Sequence, residues 1–435
     1  MKMKPIIPQW ILLHILLTSG FAQERTVKPV TVVRPAFHAR TITVGGDTSD
    51  VRGFTSAAIQ TAVDALRPSG GGTVKIRPGL YTVTSPIRLF SNVTLIGSGP
   101  STILKKCGGA RTRFTDDADY GELHVTVEDA SGFAEGMAVQ VFDADQNDGW
   151  DVTTANITKI EGKVLTLDDY LVRDYRSDRG GTVSNACSIV SAVDAENVTV
   201  ADLTVDGNRK DNDPLNGCRG GGVYLHKVKR ALVANVTVKQ FDRDGISWQI
   251  TEDVTVRNCD VSGCANAGLH PGTGSPRTLI EGNTSHDNDG FGLFVCWRVT
   301  DGIVRDNRFH DNGGDGVCTG HKDADMLFEG NAIYGNAGNG ILFRNENKSN
   351  APHRNVFRNN TVENNGRKNG GYGFSFDSPS EGVVLEGNTI RNTGDGRQKA
   401  AVCIDTNGLP VSLRNNRISG HPDGEVVYRK NPNGI

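Results

Sequence analysis

The sequence of 435 residues has little net charge and few long apolar runs. Its 47 Lys and Arg residues almost balance its 50 Asp and Glu residues, which gives a formal net charge of −3. A chain so close to neutral lacks the overall basic charge with which nucleic-acid-binding proteins attract phosphate, so we expect no nucleic-acid partner. After residue 22 no stretch is apolar and long enough to cross a bilayer, so we also expect no membrane span there.

The first 22 residues have the composition of a secretory signal peptide. Lys2 and Lys4 precede an apolar run (residues 10–17), and small residues follow up to Ala22. This order predicts cleavage after Ala22 and export, either as a secreted protein or to the periplasm or cell envelope. An N-terminal membrane anchor is the alternative, but the apolar run is short for a span and His14 interrupts it.

What the sequence does contain is a repeat. A Gly followed by an apolar residue recurs at intervals of 23 or 24 residues, at Gly222, Gly245, Gly268, Gly292, Gly316 and Gly340. Longer intervals of 33 and 28 residues lead to Gly373 and then to Ala401. An Asn recurs in phase with them, at Asn235, Asn258, Asn283, Asn307, Asn331, Asn359, Asn388 and Asn415. Self-similarity at such an interval is the signature of a solenoid.

Each repeat is too short for two packed helices and their turns. Apolar and polar residues alternate within it, as in residues 232–239 (LVANVTVK), and this alternation predicts short β-strands. Gly, Asn and Asp punctuate the strands and supply the positive backbone angles of tight turns. The spaced leucines of a leucine-rich repeat are absent. The repeat therefore predicts an all-β fold, a parallel β-helix with coils of about 24 residues that each hold two or three strands.

The recurring Asn has a physical reason in a stacked structure. Its side-chain amide can bond the backbone of its own turn and also the Asn of the next coil. A buried amide is then satisfied by its neighbours, whereas an isolated one would be costly. We therefore expect the recurring Asn residues to stack as one ladder.

Residues 57–60 (AAIQ), 71–81 (GGTVKIRPGLY) and 92–99 (NVTLIGSG) resemble the N-terminal, pectate-lyase-type module of the pectin-lyase-like superfamily. In that superfamily a short amphipathic helix caps the stack, and here Ile59, Val63 and Leu66 would supply its apolar face. The resemblance implies a single-stranded right-handed parallel β-helix with an N-terminal capping helix. It implies little about function, because one such scaffold carries many activities.

Residues 107–187 interrupt the repeat with alternating strands and loops, which predicts a small β-rich insertion. The chain then divides into the signal peptide (1–22), the cap and first coils (23–106), the insertion (107–187) and the β-helix repeats (188–435). An acidic loop in the insertion, residues 143–151, loosely resembles a calcium loop, but the closing Glu of an EF-hand would fall at Thr154. We expect a solvated turn and no cofactor, with a weak calcium site as the alternative.

Eight cysteines in an exported chain suggest disulfides. The repeat argues against them, because no two cysteines of the repeat region share a column in adjacent coils. Cys218 and Cys264 share a column but lie two coils apart, roughly 10 Å at one strand spacing per coil, which is too far for a disulfide. We expect most cysteines to fill space rather than to form bridges or bind metal. A Cys107–Cys187 bond across the insertion is the alternative.

Strand alternation assigns residues to faces of the solenoid. The residue after each repeat Gly and the one two positions further should point inward, as for Val223 and Leu225 or Ile246 and Trp248. The positions between them should form two outward columns. The first column is Tyr224, Ser247, His270, Phe294, Cys318, Leu342, Ser375 and Cys403. The second is His226, Gln249, Gly272, Cys296, Gly320, Arg344, Asp377 and Asp405, and beyond it come Trp297, Arg298, His321, Lys322, Asn345 and Glu346.

This outward face concentrates aromatic and basic side chains. Aromatic rings stack on pyranose faces and basic groups pair with carboxylates, so we predict that the face binds an acidic polysaccharide or glycan. The predicted substrate-binding residues are Trp297, Arg298, His226 and Phe294. The predicted catalytic residues are His270, His321, Lys322, Arg344 and Tyr224, and no metal ligand is predicted.

On a uronic-acid polymer these residues could remove the proton next to the carboxylate, a step that needs a neutralised carboxylate and a base. Arg344, Arg298 or Lys322 could pair with the carboxylate, and His270 or His321 could be the base. Tyr224 or the other His could be the acid. Return of a proton to the opposite face would make the protein a C5-epimerase, and loss of the leaving sugar would make it a lyase. The sequence leaves both open.

Two other classes remain as alternatives. Hydrolysis needs paired carboxylates, and related β-helix polygalacturonases carry Asn-Thr-Asp, Asp-Asp and Gly-His-Gly motifs on such a face. Here Gly320-His321 is followed by Lys322, and the Asp-Asp pairs lie in the insertion, at 116–117 and 168–169. The acidic cluster with which pectate lyases bind calcium is also missing from the central coils. A non-catalytic, glycan-binding or structural envelope protein would equally explain an aromatic face.

Overall fold

The computed structural model of the chain describes residues 30, 32–33, 40–368, 370–394, 397–405 and 408–429. The predicted signal peptide, residues 1–22, lies outside this part. Within it the regular structure is almost entirely β-strand, and Ser56–Asp64 is the one α-helix. None of the described helices is long and apolar enough to cross a membrane. Short 3-10 turns span Arg67–Ser69, Gly149–Asp151, Ser177–Arg179 and Arg209–Asp211.

Three columns of parallel strands build a solenoid, as predicted from the repeat. The first column, which we call the face sheet, consists of Ile87–Leu89, Val190–Val193, Val223–His226, Ile246–Gln249, Leu269–Gly272, Leu293–Phe294, Val317–Thr319, Ile341–Phe343, Gly371–Phe376, Gln398–Asp405 and Gly424–Arg429. The second consists of Thr41–Gly45, Gly72–Ile76, Val93–Ile96, Glu196–Asp206, Lys229–Lys239, Glu252–Arg257, Leu279–Glu281, Ile303–Arg305, Leu327–Glu329, Val356–Arg358, Val384–Glu386 and Ser412–Arg414. The third, continuous with the second, consists of Val51–Arg52, Gly79–Val83, Thr102–Lys106, Asp260–Ser262, Thr284–His286, Arg308–His310, Ala332–Tyr334, Thr361–Glu363, Thr389–Arg391 and Arg417–Ser419.

The register of the face sheet agrees with the register read from the repeat Gly residues. Tyr224 pairs with Ser247, and Ser247 pairs with His270. The residues expected to point inward are buried, among them Ile246, Trp248, Phe343 and Phe376. The rings of Phe343 and Phe376 lie 4.3 Å apart between their centroids. Apolar contacts between coils therefore fill the narrow core.

The capping helix closes the N-terminal end of the stack. The hydroxyl of Thr55 accepts the backbone N–H of Ala58 at 3.2 Å and so caps the first turn. Ile59, Val63 and Leu66 are completely buried in the main core. The apolar face predicted for this helix is confirmed.

A separate antiparallel sheet follows the first coils of the solenoid. In spatial order its strands are Arg111–Arg113, Thr182–Ser184, Ala138–Phe142, Thr153–Glu161, Val164–Leu167 and His124–Thr126. It has a hydrophobic core of its own, in which Phe114, Val141, Ile157, Leu165 and Tyr175 are buried. A loop of this insertion, which carries Trp150, contacts the face sheet at His226.

All eight cysteines of the sequence lie in the described part of the chain, and all are free thiols. The alternative bond between Cys107 and Cys187 is not formed. Cys259, Cys264 and Cys318 are buried. They fill space in the packed coils.

Two ladders of buried Asn side chains run along the stack. The first joins Asn283, Asn307, Asn331, Asn360, Asn388 and Asn416 through amide hydrogen bonds of 2.9–3.0 Å. The second joins Asn288, Asn312, Asn336 and Asn365 and ends on Gln398, with bonds of 2.9–3.1 Å. The oxygen of Asn331, for example, also accepts the backbone N–H of Asn307, and its amide donates to the carbonyl of Val304. Each such amide is thus satisfied without water.

The single Asn column expected from the sequence was wrong at four of its eight positions, because it mixed the first ladder with a neighbouring column. The four misplaced residues, Asn235, Asn258, Asn359 and Asn415, are exposed and have a positive φ of 50–54°. Asn tolerates this left-handed conformation better than most residues. Two adjacent positions therefore favour Asn for different reasons, one for backbone conformation and one for hydrogen bonding.

The adjacent residues Asn359 and Asn360 allow the ladder to be tested. Asn360→Ala removes the acceptor of Asn331 and a donor to the carbonyl of Phe328, so we expect a loss of about 3 kcal/mol, because buried partners are left unsatisfied. Asn359→Gly keeps the positive φ and should change stability by less than about 0.5 kcal/mol. Urea unfolding of both variants measures the difference, and equal losses would contradict the assignment.

Candidate functional site

Two segments lie on the face sheet and cover two of its strands, Val223–His226 and Ile246–Gln249. Residues 148–150 come from the insertion and residues 214–221 from the turn before Gly222, and we call them together the crossbar. The Tyr224 hydroxyl donates to the carbonyl of Cys218 at 2.6 Å. The Trp150 ring lies 5.5 Å from the His226 ring, and the Arg219 guanidinium lies 4.9 Å over the Trp150 ring. The crossbar therefore rests directly on the outward columns of the sheet.

A cleft of about 410 Å³ opens beside the crossbar, over the next coils. His270 and Asp244 form its floor, and aromatic side chains and thiols line its walls: Trp150, Phe291, Phe294, Trp297, Cys218 and Cys296. The rings of Phe291 and Phe294 stack 4.9 Å apart, and the Phe294 ring lies 5.0 Å from the His270 ring. The cleft thus combines apolar walls with a titratable floor.

The floor of the cleft is a buried ion pair. Nδ1 of His270 lies 2.8 Å from Oδ2 of Asp244, and the two side chains are only 5% and 1% exposed. The other Asp244 oxygen accepts the side-chain N–H of Asn266 and the backbone N–H of Ala267, both at 2.8 Å. A Cβ on Gly217 would lie 1.6 Å from Oδ2 of Asp244, so only Gly fits against the pair. Asn266, Ala267 and the backbone of Gly217 therefore fix the position of the pair.

This environment makes His270 a cation at neutral pH. Burial alone lowers the pKa of its ring, but the charge of Asp244 and hydrogen bonds with Asp244 and Cys296 outweigh burial and raise the pKa to about 9. His270 in turn holds the pKa of Asp244 below its usual value, although burial opposes that shift. With Nδ1 bonded to Asp244, Nε2 is the nitrogen available to a ligand.

A second group of predicted residues lies further along the face. The Trp297 ring is 49% exposed and stacks 4.8 Å from the His321 ring. Nδ1 of His321 lies 3.4 Å from Oε2 of Glu346. Arg298 and Lys322 are exposed next to this stack. Together they form an open ridge of aromatic and basic groups.

Arg344 connects the ridge to the cleft. Its guanidinium lies 4.7 Å over the Phe294 ring, on a wall of the cleft. It donates to the carbonyl of Val295 at 3.0 Å and lies 3.7 Å from the buried carboxylate of Asp323. Its side chain is 21% exposed. It is therefore fixed in place and still partly accessible.

The structure brings seven of the nine predicted site residues together and separates two. His270, Phe294 and Trp297 line the cleft, while the others of the seven lie beside it: Arg298, His321, Lys322 and Arg344. Tyr224 and His226 lie under the crossbar. Burial raises the pKa of Tyr224 and lowers the pKa of His226 to about 4. These two residues therefore do not share the cleft with His270.

Sequence reasoning missed Asp244 and the crossbar as parts of the site, and it placed Cys296 on the outward face without giving it a role. The faces were assigned only for residues that follow each Gly, and Asp244 precedes Gly245. An acidic residue just before a repeat Gly was the available signal, and Asp315 before Gly316 has the same place three coils on. Burial raises the pKa of Asp315 to about 6. The insertion carries no repeat, so nothing in the sequence indicated that Trp150 reaches the face sheet.

Within the described residues, no group of three or more His, Cys, Asp or Glu side chains could hold a metal ion. In the acidic loop of the insertion, one oxygen of Asp143 accepts the backbone N–H groups of Asp145 and Gln146 at 2.9 and 2.8 Å. The other accepts the backbone N–H of Arg176 at 3.0 Å. The carboxylate of Asp143 thus closes the loop on itself.

Comparison with known proteins agrees on the fold. A family model described as right-handed beta helix region matches residues 188–355. The A-module of the Azotobacter vinelandii mannuronan C-5 epimerase AlgE4 superposes with a TM-score of 0.55 at 18% identity, covering 87% of this chain and 95% of that one. A polygalacturonase from Erwinia carotovora ssp. carotovora gives 0.53 at 12% identity, covering 91% and 97%. No curated protein matches the chain in sequence. The resemblance to pectin-lyase-like right-handed parallel β-helix proteins is confirmed at the level of fold.

The buried ion pair predicts a loss of stability in mild alkali. The folded protein keeps the His270 proton up to a pKa of about 9, whereas the unfolded chain releases it near 6.5. The stabilisation is therefore complete below pH 6.5 and is lost as the pH rises to 9, by on the order of 3 kcal/mol. Thermal unfolding of the protein and of His270→Gln over this range measures the effect. If the difference in Tm between the parent protein and His270→Gln does not change with pH, the prediction is wrong. The control is His286→Gln, on the third column, which should lose stability between pH 6.5 and 9 as the parent does.

Proposed function

We propose that the protein is an exported carbohydrate-active protein that binds an acidic, uronic-acid polysaccharide in the cleft and removes the proton next to the sugar carboxylate. The observation that carries the proposal is the buried Asp244–His270 pair at the floor of an aromatic cleft. The protonated ring, whose charge is balanced by Asp244, can donate a hydrogen bond from Nε2 to a carboxylate, and the aromatic walls suit the faces of sugar rings.

Hydrogen-bond donors at the floor of the cleft support an anionic ligand. Nε2 of His270 and Nε2 of Gln249 lie 3.4 Å apart. The Gln249 amide is oriented by the carbonyl of Gly217 and the hydroxyl of Ser247, to which its N–H groups point. Both N–H groups of Gln249 are therefore already bonded, so with His270 protonated the free donor of this pair is Nε2–H of His270. A carboxylate oxygen of the substrate would accept from it.

In the proposed reaction Nε2–H of His270 donates a hydrogen bond to the carboxylate, and Arg344 adds positive charge beside Phe294. The proton on C5 moves to Nε2 of His321, whose Nδ1 is oriented by Glu346. The electron pair left on C5 delocalises into the carboxylate as an enolate, which these donors stabilise. Protonation of C5 by water from the opposite face gives the epimer, and His321 returns its proton to the solvent. Expulsion of the oxygen on C4, which takes up the proton held by His321, gives instead a C4–C5 double bond and a shorter chain.

The comparisons fit this class of substrate. Two solved structures of the same fold, with TM-scores of 0.55 and 0.53, are A-modules of mannuronan C-5 epimerases, which act on a polyuronate. Hydrolysis by paired carboxylates is less well supported. The carboxylates that line the cleft are Asp148 and Asp244; Asp148 pairs with Arg243, and Asp244 is held by three donors.

Offering the purified protein alginate, pectate and glycosaminoglycans distinguishes the outcomes. A lyase would generate the ultraviolet absorbance of an unsaturated uronate. An epimerase would incorporate deuterium at C5 from deuterated water without that absorbance, as seen by NMR. Retained binding with neither signal would refute the enzyme and leave a glycan-binding protein.

Variants of the two histidines test the assigned roles. His270→Ala removes the charge on the cleft floor, and His321→Ala removes the base, so each should lower turnover by about 10²- to 10⁴-fold. KM distinguishes the two roles: it should rise in His270→Ala, because His270 also binds the substrate, and stay unchanged in His321→Ala. His286→Ala, on the third column, is the matched control. Turnover within a few-fold of the parent in both cleft variants, with unchanged circular dichroism, would reject this site.

A further inference from the structure

The crossbar closes one end of the cleft down to the floor. The Ser247 hydroxyl donates to the carbonyl of Gly217 at 2.6 Å, just as Tyr224 does to Cys218. Ser247 and Gln249 are completely buried beneath it. Hydrogen-bonded contact of this kind leaves no space for a pyranose ring between the crossbar and the sheet. A polymer lying on the face therefore cannot continue under the crossbar.

The crossbar is also held together by contacts between its two segments. Arg219 donates to the carbonyl of Trp150 at 2.5 Å and packs on the Trp150 ring. Asn216 donates to Asp148, and Arg243 donates to the same carboxylate at 2.9 Å. The two segments come from distant parts of the chain, so they form a fixed wall rather than a loose loop.

The crossbar also rises above the sheet at this end of the cleft. The Trp150 ring packs 5.5 Å from the His226 ring, and the Arg219 guanidinium lies 4.9 Å over the Trp150 ring. A polymer in contact with the floor of the cleft would have to leave the sheet to pass over these stacked groups.

His270 lies directly against the wall. A Cβ on Gly217, in the crossbar, would come within 2.6 Å of Nδ1 of His270. On the other side the face is open, where Trp297 is 49% exposed. A sugar bound at His270 therefore has room for a neighbour towards Trp297 and His321 only.

We infer that the protein takes the end of a polyuronate chain and not its interior, with the terminal sugar spanning the cleft from His270 to His321 and the following sugars further along the open face, past Trp297 and His321. The inference rests on the proposed function for the class of ligand. It adds that the crossbar determines chain-end specificity, through the contacts of Gly217 and Cys218 with the sheet and the packing of Trp150 against His226.

The test counts protein molecules per polymer chain and does not require turnover. Oligouronates and polyuronates of defined length are titrated with the protein, and the stoichiometry is measured by calorimetry and light scattering. End binding predicts one protein per chain at every length, and at equal mass the shorter chains should bind more protein. A stoichiometry that rises in proportion to chain length overturns the inference. One protein per chain without any reaction would refute the proposed chemistry but uphold the inference, and no binding to any polyuronate would refute both.

A variant of the wall tests its role. The triple variant Trp150→Gly, Tyr224→Phe, Ser247→Ala removes the ring that packs against His226 and both hydrogen bonds that hold Gly217 and Cys218 on the sheet, so several molecules should now bind each long chain. Tyr120→Ala, at an exposed aromatic residue of the insertion, should keep one protein per chain. A triple variant that is folded by circular dichroism and still binds one per chain contradicts the assignment of the wall. If the triple variant does not fold, the stoichiometry of the unaltered protein already decides the inference.

Discussion

The buried amides of the Asn ladders impose the constraint on which the rest of this structure depends. An amide in the core has no water to bond, so each must meet an acceptor in the next coil. The coupled residues are 24 positions apart between Asn307 and Asn331 and 29 apart between Asn331 and Asn360. Coils of unequal length thus keep the same hydrogen bonds, and the extra residues go into loops. The ladders fix the register of the coils whatever the length of each coil.

That register is what allows residues far apart in sequence to build a site. Asp244 and His270 are 26 positions apart and meet because their coils are adjacent. Taking an acid and a base out of water costs free energy, and the pair offsets this cost through its own attraction and through the donors Asn266 and Ala267. The protonated state of His270 therefore depends on the coil that supplies Asp244, on its own coil and on the crossbar that covers the pair. This charged donor and the aromatic walls beside it are the two features that support the proposed carboxylated sugar ligand.

The repeat in the sequence sufficed to predict the solenoid and the inward residues of the face sheet, because strand alternation and coil spacing are periodic. The capping helix was predicted instead from the resemblance of the N-terminal segment to a known cap module and from the spacing of Ile59, Val63 and Leu66. The repeat failed where two adjacent positions select the same residue, so that Asn359 was expected in the ladder in place of Asn360. It could not predict the crossbar, because the insertion has no period and its position depends on tertiary contacts such as that of Trp150 with His226. For the same reason Tyr224 and His226, outward by alternation, proved to be covered. Alternation gives the direction of a side chain but not what lies above it.

The Asn ladders also have a direction. In every step of the first ladder the amide of one coil donates to the oxygen of the following coil, from Asn283 to Asn416. Dipoles aligned head to tail polarise one another. The two ends of the ladder are therefore electrically unlike: it begins at an oxygen, which accepts the backbone N–H of Cys259, and ends at an amide donor on Asn416. A further coil after Asn416 could extend the ladder only with an acceptor at this position, whereas a coil before Asn283 must offer a donor.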